Sequence, residues 1–392
     1  MAGLSSDAHG VPPRVLVAGV STRAIAESAA RAGFAVTSID AFADLDQHPT
    51  VRAISLHDRY SARAAAVAAR DIECDAVAYT SNFENHPRAV EALASGRALW
   101  GNTPAVLRRV RNPALLTQTL CRRQCLAPAV TSGQRLPSDN DGRQWLLKPL
   151  ASGGGDRVRQ WRDGIPLPRR SYLQEFVEGT PASMVFVAGG GRAIALGVSR
   201  QLVGDRAFGA TGYQYCGNIL ASDGDGRFLG DVALTDAASA LATVVAEEFR
   251  VVGVNSVDFI ASNGIPHAIE VNPRWSASME LVERAYNISV FGVHATACIT
   301  GALPTFDLLR VRGSTPAIGK AVVFARLDVR VGDTSHWLAD SSVRDVPRPG
   351  ERILAGRPVC TIIAEGRDDA SCYLGLVRQA EGVYATLDAW SR

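Results

Sequence analysis

Two short segments in the second half of the chain contain polar residues whose types and spacing suit metal chemistry. Asp258 lies in the apolar segment VDFI, and the segment IEVNPR follows at 269–274. On a β-strand, residues two apart point to the same face, so Glu270 and Asn272 present two oxygen donors side by side. With Asp258 on a neighbouring strand, they form a hard-ligand set of the kind that Mg²⁺ prefers. Arg274 lies two residues further on, so we expect its guanidinium group to reach a transferring phosphoryl group. A solvent-facing hairpin is the alternative, but the apolar surroundings favour a site.

A second candidate is a lysine that directly precedes a glycine-rich loop. Only two of the 41 basic residues are lysines, Lys148 and Lys320. The loop after Lys148 contains Ser152, Gly153, Gly154 and Gly155. Glycines let backbone N–H groups approach phosphate oxygens, and a lysine adds a compact ammonium group. The lysine precedes the glycines, which excludes a Walker A loop. We therefore expect a phosphate site at Lys148, whereas chance retention is the preferred interpretation of Lys320.

In the segment QEFVEG, at 174–179, two apolar residues stand between two acidic residues. An extended segment of this type can offer backbone groups to an adenine edge and a carboxylate to ribose hydroxyls. A partly exposed strand with polar ends is the alternative, and the segment taken alone favours that alternative.

Together, these motifs occur in an order and at separations that resemble the ATP-grasp superfamily. Its members include carboxylate–amine ligases, D-alanine–D-alanine ligase and biotin carboxylase. The resemblance covers residues from about 105 to 300. It implies a nucleotide held between two α+β lobes, with the glycine-rich loop closing over the phosphates and a small α/β domain preceding both lobes.

The resemblance also implies a role for each residue of the motifs. Lys148 and the loop residues 152–155 contact the phosphates of ATP, Arg274 stabilises the phosphoryl-transfer transition state, and Arg200, in VSRQLV, holds the acyl phosphate. The implied ligands of Mg²⁺ (or Mn²⁺) are Asp258, Glu270 and Asn272. The implied adenine and ribose contacts are Glu175, Phe176, Val177 and Glu178.

The chain departs from the family pattern at one nucleotide contact. Many relatives carry an earlier lysine near the start of the central domain, and Pro113 occupies that position here. Arg108, Arg109 or Arg111 supplies the missing charge in our interpretation, and the sequence does not distinguish among the three.

The resemblance also implies that the acceptor substrate binds between the N-terminal and central domains, beside the elements before residue 105. The runs RVLVAGV and AVTSID flank an amphipathic segment and predict a βαβ unit. The glycine pattern GxGxxG is absent from its first turn, which argues against a dinucleotide-binding enzyme. Substrate-side candidates are Ser21, Thr22, Asn82, Glu84 and Asn85, although helix capping is the preferred interpretation of Ser21 and Thr22. His267 and His294 have no evident partners and are interpreted as structural.

These patterns predict a mixed fold, α/β and α+β, of the ATP-grasp type. We expect a Rossmann-like N-terminal domain at 1–105, a two-lobed ATP-grasp domain at 106–312 that holds nucleotide and metal, and a small β-rich C-terminal module at 313–392.

Composition narrows the functional classes. The chain has 392 residues, of which 47% are apolar and 20% charged, as is typical of a soluble protein with two or three domains. The formal net charge of +2 gives no reason to expect a nucleic-acid or membrane partner. The seven cysteines have irregular spacings, so we expect reduced thiols rather than a zinc site. We expect a cytoplasmic enzyme that acts on small-molecule carboxylate and amine substrates, with a homodimer as a possible assembly.

The function expected is an ATP-dependent ligase that forms an amide through an acyl phosphate and releases ADP and phosphate. The stretch VPRPGERILAGRPVCTIIAEG resembles the tail of predicted carboligases that are related to biotin carboxylase and associated with one-carbon cofactor pathways. Glutamate and tyramine, as in methanofuran-type cofactor biosynthesis, are therefore the first pair to test. The alternatives are a biotin carboxylase-like enzyme that uses carboxyphosphate and a non-catalytic ATP-binding protein.

Overall fold

The computed structural model describes residues 12–132, 142–222 and 224–390. Its N-terminal part is a parallel five-stranded sheet in the order β3-β2-β1-β4-β5. Because the strands are parallel, the loops that follow β1, β2 and β4 meet at one edge of the sheet. The elements are β1 (Arg14–Ala18), α1 (Arg23–Arg31), β2 (Ala35–Asp40), β3 (Arg52–Ser55), α2 (Ala62–Ala68), β4 (Ala76–Tyr79), α3 (Pro87–Leu93), β5 (Ala98–Leu99) and α4 (Pro104–Val110).

A four-stranded antiparallel sheet in the order β6-β9-β7-β8 forms the first lobe of the central region. Trp145, Leu147, Trp161 and Leu173 make its small core. The lobe carries Lys148 and the glycine-rich loop between β7 and β8. Its elements, with the helix before them, are α5 (Pro113–Arg122), β6 (Val130–Thr131), β7 (Trp145–Pro149), β8 (Arg159–Trp161) and β9 (Ser171–Glu175).

The second lobe is built on an eight-stranded sheet in the order β14-β13-β10-β11-β12-β15-β19-β17. Its two faces are covered by different helices, because alternate residues of each strand point to opposite sides. The elements from this part of the chain are β10 (Thr180–Gly189), β11 (Arg192–Val203), β12 (Tyr215–Leu220), α6 (Asp231–Phe249), β13 (Gly253–Ser262), β14 (Ile265–Asn272), α7 (Ser278–Tyr286), α8 (Val290–Thr300) and α9 (Leu308–Arg312).

One face of this sheet is covered by α6 and by the C-terminal helix. Met184 and Phe259 pack with α6, and Ala321 packs with the C-terminal helix. The other face packs against α7, α8 and α1 through residues such as Val185 and Ile318. The face toward α1 also contains Asp258 and Glu270, so the candidate metal ligands look toward the N-terminal sheet.

The C-terminal segment completes the large sheet and does not stand apart from it. β15 pairs with β12, and β19 pairs with β15 and β17. The short strands were expected from the sequence, but the long final helix was not. The elements are β15 (Ala317–Phe324), β16 (Val329–Arg330), α10 (Ser335–Ala339), β17 (Val343–Arg344), β18 (Arg352–Ile353), β19 (Pro358–Gly366) and α11 (Asp369–Trp390).

Two details bear on the expected domain limits. The boundary after residue 105 falls inside α4, whereas the boundary after residue 312 coincides with the end of α9. Among the helices of the described residues, none combines the length and apolar character that a membrane crossing would need.

Candidate active site

The three expected metal ligands lie together on one face of the large sheet. Asp258 on β13 stands directly opposite Glu270 on β14. Asn272 donates from Nδ2 to Asp258 Oδ2 at 2.9 Å, and Ser183 donates to Asp258 Oδ1 at 2.8 Å. Nowhere in the described ranges do three His, Cys, Asp or Glu side chains form a metal-binding cluster, so a metal here would be held by two carboxylates and an amide. The Ser183 contact was not predicted from the sequence.

The charges around these ligands suit a divalent cation. Arg111 donates to Glu270 Oε1 and, at 3.1 Å, to the carbonyl oxygen of Val271. Burial opposes ionisation of Glu270, but the positive charges of Arg111 and Lys148 outweigh it and hold the pKa of Glu270 below its usual value. Burial and the negative charge of Glu270 raise the pKa of Asp258. A divalent cation between the two carboxylates would relieve this repulsion.

Arg274 joins the metal-ligand group to the N-terminal sheet. Its Nη2 donates to Asn272 Oδ1 at 3.1 Å, and its Nε donates to Glu84 Oε1 at 2.9 Å. Glu84 follows β4 and is 1% exposed, and its second oxygen has no hydrogen-bond partner. These two contacts fix the guanidinium beside the ligands, as the proposed role of Arg274 requires.

Lys148 is held by a side chain that also links the two sheets. Its Nζ donates to Gln174 Oε1 at 2.9 Å, and Gln174 Nε2 donates to the carbonyl oxygen of Ile269 at 3.2 Å. The ammonium group also lies 5.9 Å from the centre of the Tyr172 ring. Gln174 is therefore a positioning residue that the sequence did not indicate, although it opens the QEFVEG motif.

The glycine-rich loop rests on two other segments. Gly154 and Gly155 have φ values of 63° and 76°, which only glycine adopts without strain. A Cβ on Gly155 would lie 1.8 Å from the carbonyl oxygen of Tyr213. Asn85 donates to the carbonyl oxygen of Ser152 at 3.3 Å. The N-terminal sheet thus contacts the loop that we expect to cover the phosphates.

The expected adenine segment lies at the junction of β9 and β10, between the two sheets. Glu175 Oε2 accepts a hydrogen bond from the Ala129 amide at 3.1 Å, and Glu178 is exposed. The Phe176 amide donates to the Gln144 carbonyl oxygen at 2.7 Å. The backbone of Val177 is free of hydrogen bonds within the described residues, and the nucleotide roles of all four residues stay predictions.

Arg200 does not lie with the other site residues, and the expectation that it holds the acyl phosphate is wrong in position. Strand pairing places it beside Ala182, on the opposite face from Ser183 and Asp258. Its guanidinium pairs instead with Asp225 at 2.8 Å and with Asp369 at 3.3 Å. Arg200 is one residue past Ser199, the residue of β11 that stands opposite Ser183. Its side chain therefore points to the other face of the sheet, toward α6 and α11.

Polar side chains continue across the site face beyond Asp258, and Asn218 and Ser199 among them were not predicted from the sequence. Asn218 on β12 donates to Ser199 on β11 at 2.9 Å and accepts from the hydroxyl of Tyr215. Lys320 on β15 stands opposite Asn218, is 5% exposed and donates to Glu280 at 2.6 Å. The retention of Lys320 therefore has a structural reason, a buried ion pair. The scarcity of lysine was the signal that pointed to it.

The structure distinguishes the three arginines near Pro113. Arg109 donates to the Glu248 carbonyl oxygen at 2.9 Å and lies over the Phe249 ring, away from the site. Arg108 lines a cavity of about 340 Å³ beside Glu84. Arg111 alone of the three contacts the metal-ligand group, and it also donates to Asn85 at 3.0 Å.

This geometry gives a matched pair of variants. Arg111→Gln is expected to lower ATP turnover about 10- to 100-fold, because a charge-assisted hydrogen bond to Glu270 is lost. Arg109→Gln is expected to leave turnover within about twofold of the parent, since Arg109 contacts α6. Steady-state ADP release measures both, and equal effects would contradict the assignment of Arg111.

A cavity of about 930 Å³ lies beside the glycine-rich loop and is bounded by all three parts of the chain. The N-terminal sheet contributes Ser21 and the segment 42–44, the central lobes contribute residues 153–158 and 211–215, and the C-terminal segment contributes 355–361. Ser21, one of the expected substrate-side residues, thus lines the cavity.

Two other expectations concern side chains away from this cavity. Thr22 is buried and donates from its hydroxyl to Asp40 at 2.6 Å. His294 is buried between the Val254 amide and the Trp100 carbonyl oxygen. Burial lowers the pKa of His294 to about 4, which keeps the ring neutral and agrees with the structural interpretation.

Comparison with known proteins agrees with this arrangement. Residues 111–278 match a family model described as an ATP-grasp domain, and no curated protein matches the chain. The L-amino acid ligase of Bacillus licheniformis superposes with a TM-score of 0.68 at 14% identity, over 94% of this chain and 97% of that chain. For N5-carboxyaminoimidazole ribonucleotide synthetase of Thermotoga maritima the TM-score is 0.65 at 14% identity, over 94% and 98%.

A third structure similar to this chain contains bound nucleotide. It is the biotin carboxylase domain dimer of Hydrogenobacter thermophilus 2-oxoglutarate carboxylase, in complex with MgADP, ADP and bicarbonate. Its TM-score is 0.68 at 14% identity, over 92% of this chain and 87% of that chain. Likeness at this identity concerns the fold and not the substrate. The chain therefore has the ATP-grasp fold, and its residues 111–278 match the model of the ATP-grasp domain.

Proposed function

We propose that this chain is an ATP-dependent ligase that activates a substrate carboxylate as an acyl phosphate and joins it to an amine. The observation that carries the proposal is the convergence of two sets of groups on one cleft. Asp258, Glu270 and Asn272 come from the large sheet, and Lys148 and the glycine-rich loop come from the small one. The glycine-rich loop also lines the cavity of about 930 Å³, and this cavity has the volume of a small-molecule site.

The residues fit ATP with Mg²⁺. Two adjacent carboxylates and an amide oxygen are the donors that Mg²⁺ accepts when phosphate oxygens complete its shell. Bound Mg²⁺ would neutralise charge on the β- and γ-phosphates. Lys148 adds a second positive group from the opposite lobe, and Val177 offers its backbone at the junction of the lobes.

The chain's own groups would orient and stabilise two transfers. In the first, a substrate carboxylate oxygen attacks the γ-phosphorus and the bond to ADP breaks, with Arg274 positioned to hold charge on the transferring group. In the second, an amine nitrogen attacks the acyl carbon, phosphate leaves and the amine loses a proton. Lys148, Arg274 and Glu270 are each held by a hydrogen-bond partner. We therefore expect these side chains to reorganise little during the reaction.

For the substrates we propose glutamate as the acid and an aromatic amine such as tyramine. The resemblance of the C-terminal stretch to carboligases of one-carbon cofactor pathways motivates the pair. The cavity supports an aromatic substrate because four of its lining residues carry rings, namely Phe42, Tyr213, Tyr215 and Phe324.

A screen of ADP release over acid–amine pairs tests the proposal. We expect release that requires both an acid and an amine, with an amide of the summed mass less water found by mass spectrometry. ADP release that requires bicarbonate and no amine would favour the carboxylase alternative. ATP binding without turnover across the panel would favour a non-catalytic protein.

A further inference from the structure

The large cavity carries opposite charges at its exposed and buried parts. Arg157 and Arg357 line it and are exposed. Asp44 and Asp345 also line it, and Asp44 is only 7% exposed. A substrate that enters past the arginines would therefore meet carboxylates at the buried part.

Asp44 differs from the neighbouring carboxylates because, in the part of the chain that the structure describes, no cation or hydrogen-bond donor contacts it directly. Its Oδ2 is buried and has no hydrogen-bond partner, and no ion pair involves Asp44 within the described residues. Asp40, four residues earlier, accepts hydrogen bonds from Thr22 and from the amides of Phe42 and Ala43. A buried carboxylate without a partner is costly, so it is expected to have one in some state of the protein.

The positive charge of Arg23 reaches Asp44, but the ion pairs of Arg23 are made with other carboxylates. Arg23 is fully buried and lies within 3.5 Å of four carboxylates, those of Glu27, Asp46, Glu280 and Asp345. Lys320 is likewise committed to Glu280. The region thus has a surplus of negative charge beside the cavity.

We propose that Asp44, together with Asp345 in the same cavity, binds the protonated amino group of the acceptor substrate and makes the cavity selective for amines. An ammonium group has three donors and a full positive charge, which are what the carboxylate of Asp44 lacks. The inference rests on the proposed ligase function, because it names which part of that enzyme recognises the amine.

The electrostatics of Asp44 point the same way. Burial is the main cause that raises the pKa of Asp44 well above its usual value, and the charges of Asp345, Asp40 and Asp46 add to it. The charge of Arg23 opposes these effects only in part, and a bound cation would favour the ionised carboxylate further. Asp44→Asn should therefore weaken amine binding without loss of stability, because a neutral amide avoids the cost of burying a carboxylate among like charges.

Titration calorimetry on the full chain loaded with Mg-ADP tests the subsite without turnover. The probes are tyramine against 4-ethylphenol, which lacks the amino group, and butylamine against butan-1-ol. We expect butylamine to bind the parent at least about 10-fold more tightly than butan-1-ol. Tyramine should show the same preference over 4-ethylphenol if the cavity admits its ring. Asp44→Asn should lose this preference while its Tm stays equal or rises.

Asp156→Asn is the matched control, because Asp156 lines the same cavity but is exposed and paired with Arg157. It should keep the preference for amines. The subsite is overturned if neither amine binds the parent better than its neutral counterpart, or if Asp44→Asn keeps the preference. The ligase proposal fails separately, through a negative ADP-release screen, since the titration requires no chemistry.

Discussion

Glu270→Gln is expected to abolish ATP turnover, with kcat lowered roughly 1,000-fold or more. The variant removes one of the two carboxylates that face each other across β13 and β14. The remaining carboxylate, Asp258, then stands alone against the charge of Mg-ATP. A neutral amide binds a divalent cation far more weakly than a carboxylate does.

The fold should survive this substitution. Gln has the shape of Glu and still accepts the hydrogen bond from Arg111, and repulsion of Asp258 is relieved at the same time. Glu248→Gln is the matched control, because Glu248 also pairs with arginines, Arg122 and Arg123, but far from the site on α6. Circular dichroism and ADP release measure both variants. Near-normal activity of Glu270→Gln would contradict the metal assignment.

Lys148→Ala is expected to weaken ATP binding about 10- to 100-fold, as measured by calorimetry in the absence of substrate. The ammonium group is held by Gln174 at 2.9 Å and is the cation that the small sheet offers toward the cleft. Its loss removes a charge-assisted hydrogen bond to phosphate and leaves Gln174 Oε1 without the donor that it has in the parent.

Lys148→Arg separates charge from shape at this position. It keeps the positive charge but replaces a compact ammonium with a wide planar group, so an intermediate affinity is expected. ATP binding by Lys148→Ala at the parent's affinity would contradict the phosphate assignment.

Strand periodicity was enough to predict part of this site. The two-residue spacing places Glu270 and Asn272 on one face, and the hairpin partner brings Asp258 beside them. The resemblance to ATP-grasp relatives, by contrast, put Arg200 on the wrong face. Its orientation relative to Asp258 depends on the register through the intervening strand β10, and that register cannot be read from the sequence.

Other contacts are long-range, and no local pattern encodes them. Arg111 reaches Glu270 across 159 positions of sequence, and Asn85 reaches Ser152 across 67. Such pairs follow from the packing of the N-terminal sheet against both lobes. The choice of Arg111 over its neighbours Arg108 and Arg109 therefore had to come from the structure.

The final helix, α11, could not be predicted from the sequence for a different reason. Gly375 and Gly382 lie inside α11, and interior glycines lower helix propensity by about 1 kcal/mol each. A Cβ at Gly375 would lie 3.1 Å from that of Ala364 on β19. The glycine thus permits close packing of the helix on the sheet, and tertiary contact overrides local preference.

Transfer of ¹⁸O tests the central claim most directly. The acid identified by the screen, glutamate first, is labelled with ¹⁸O in its reacting carboxylate and incubated with ATP, amine and the protein. Activation as an acyl phosphate predicts one ¹⁸O atom in the released phosphate for each amide formed, because the carboxylate oxygen stays on phosphorus. Phosphate that contains no ¹⁸O from the acid, or that acquires its label from ¹⁸O-bicarbonate instead, would contradict it.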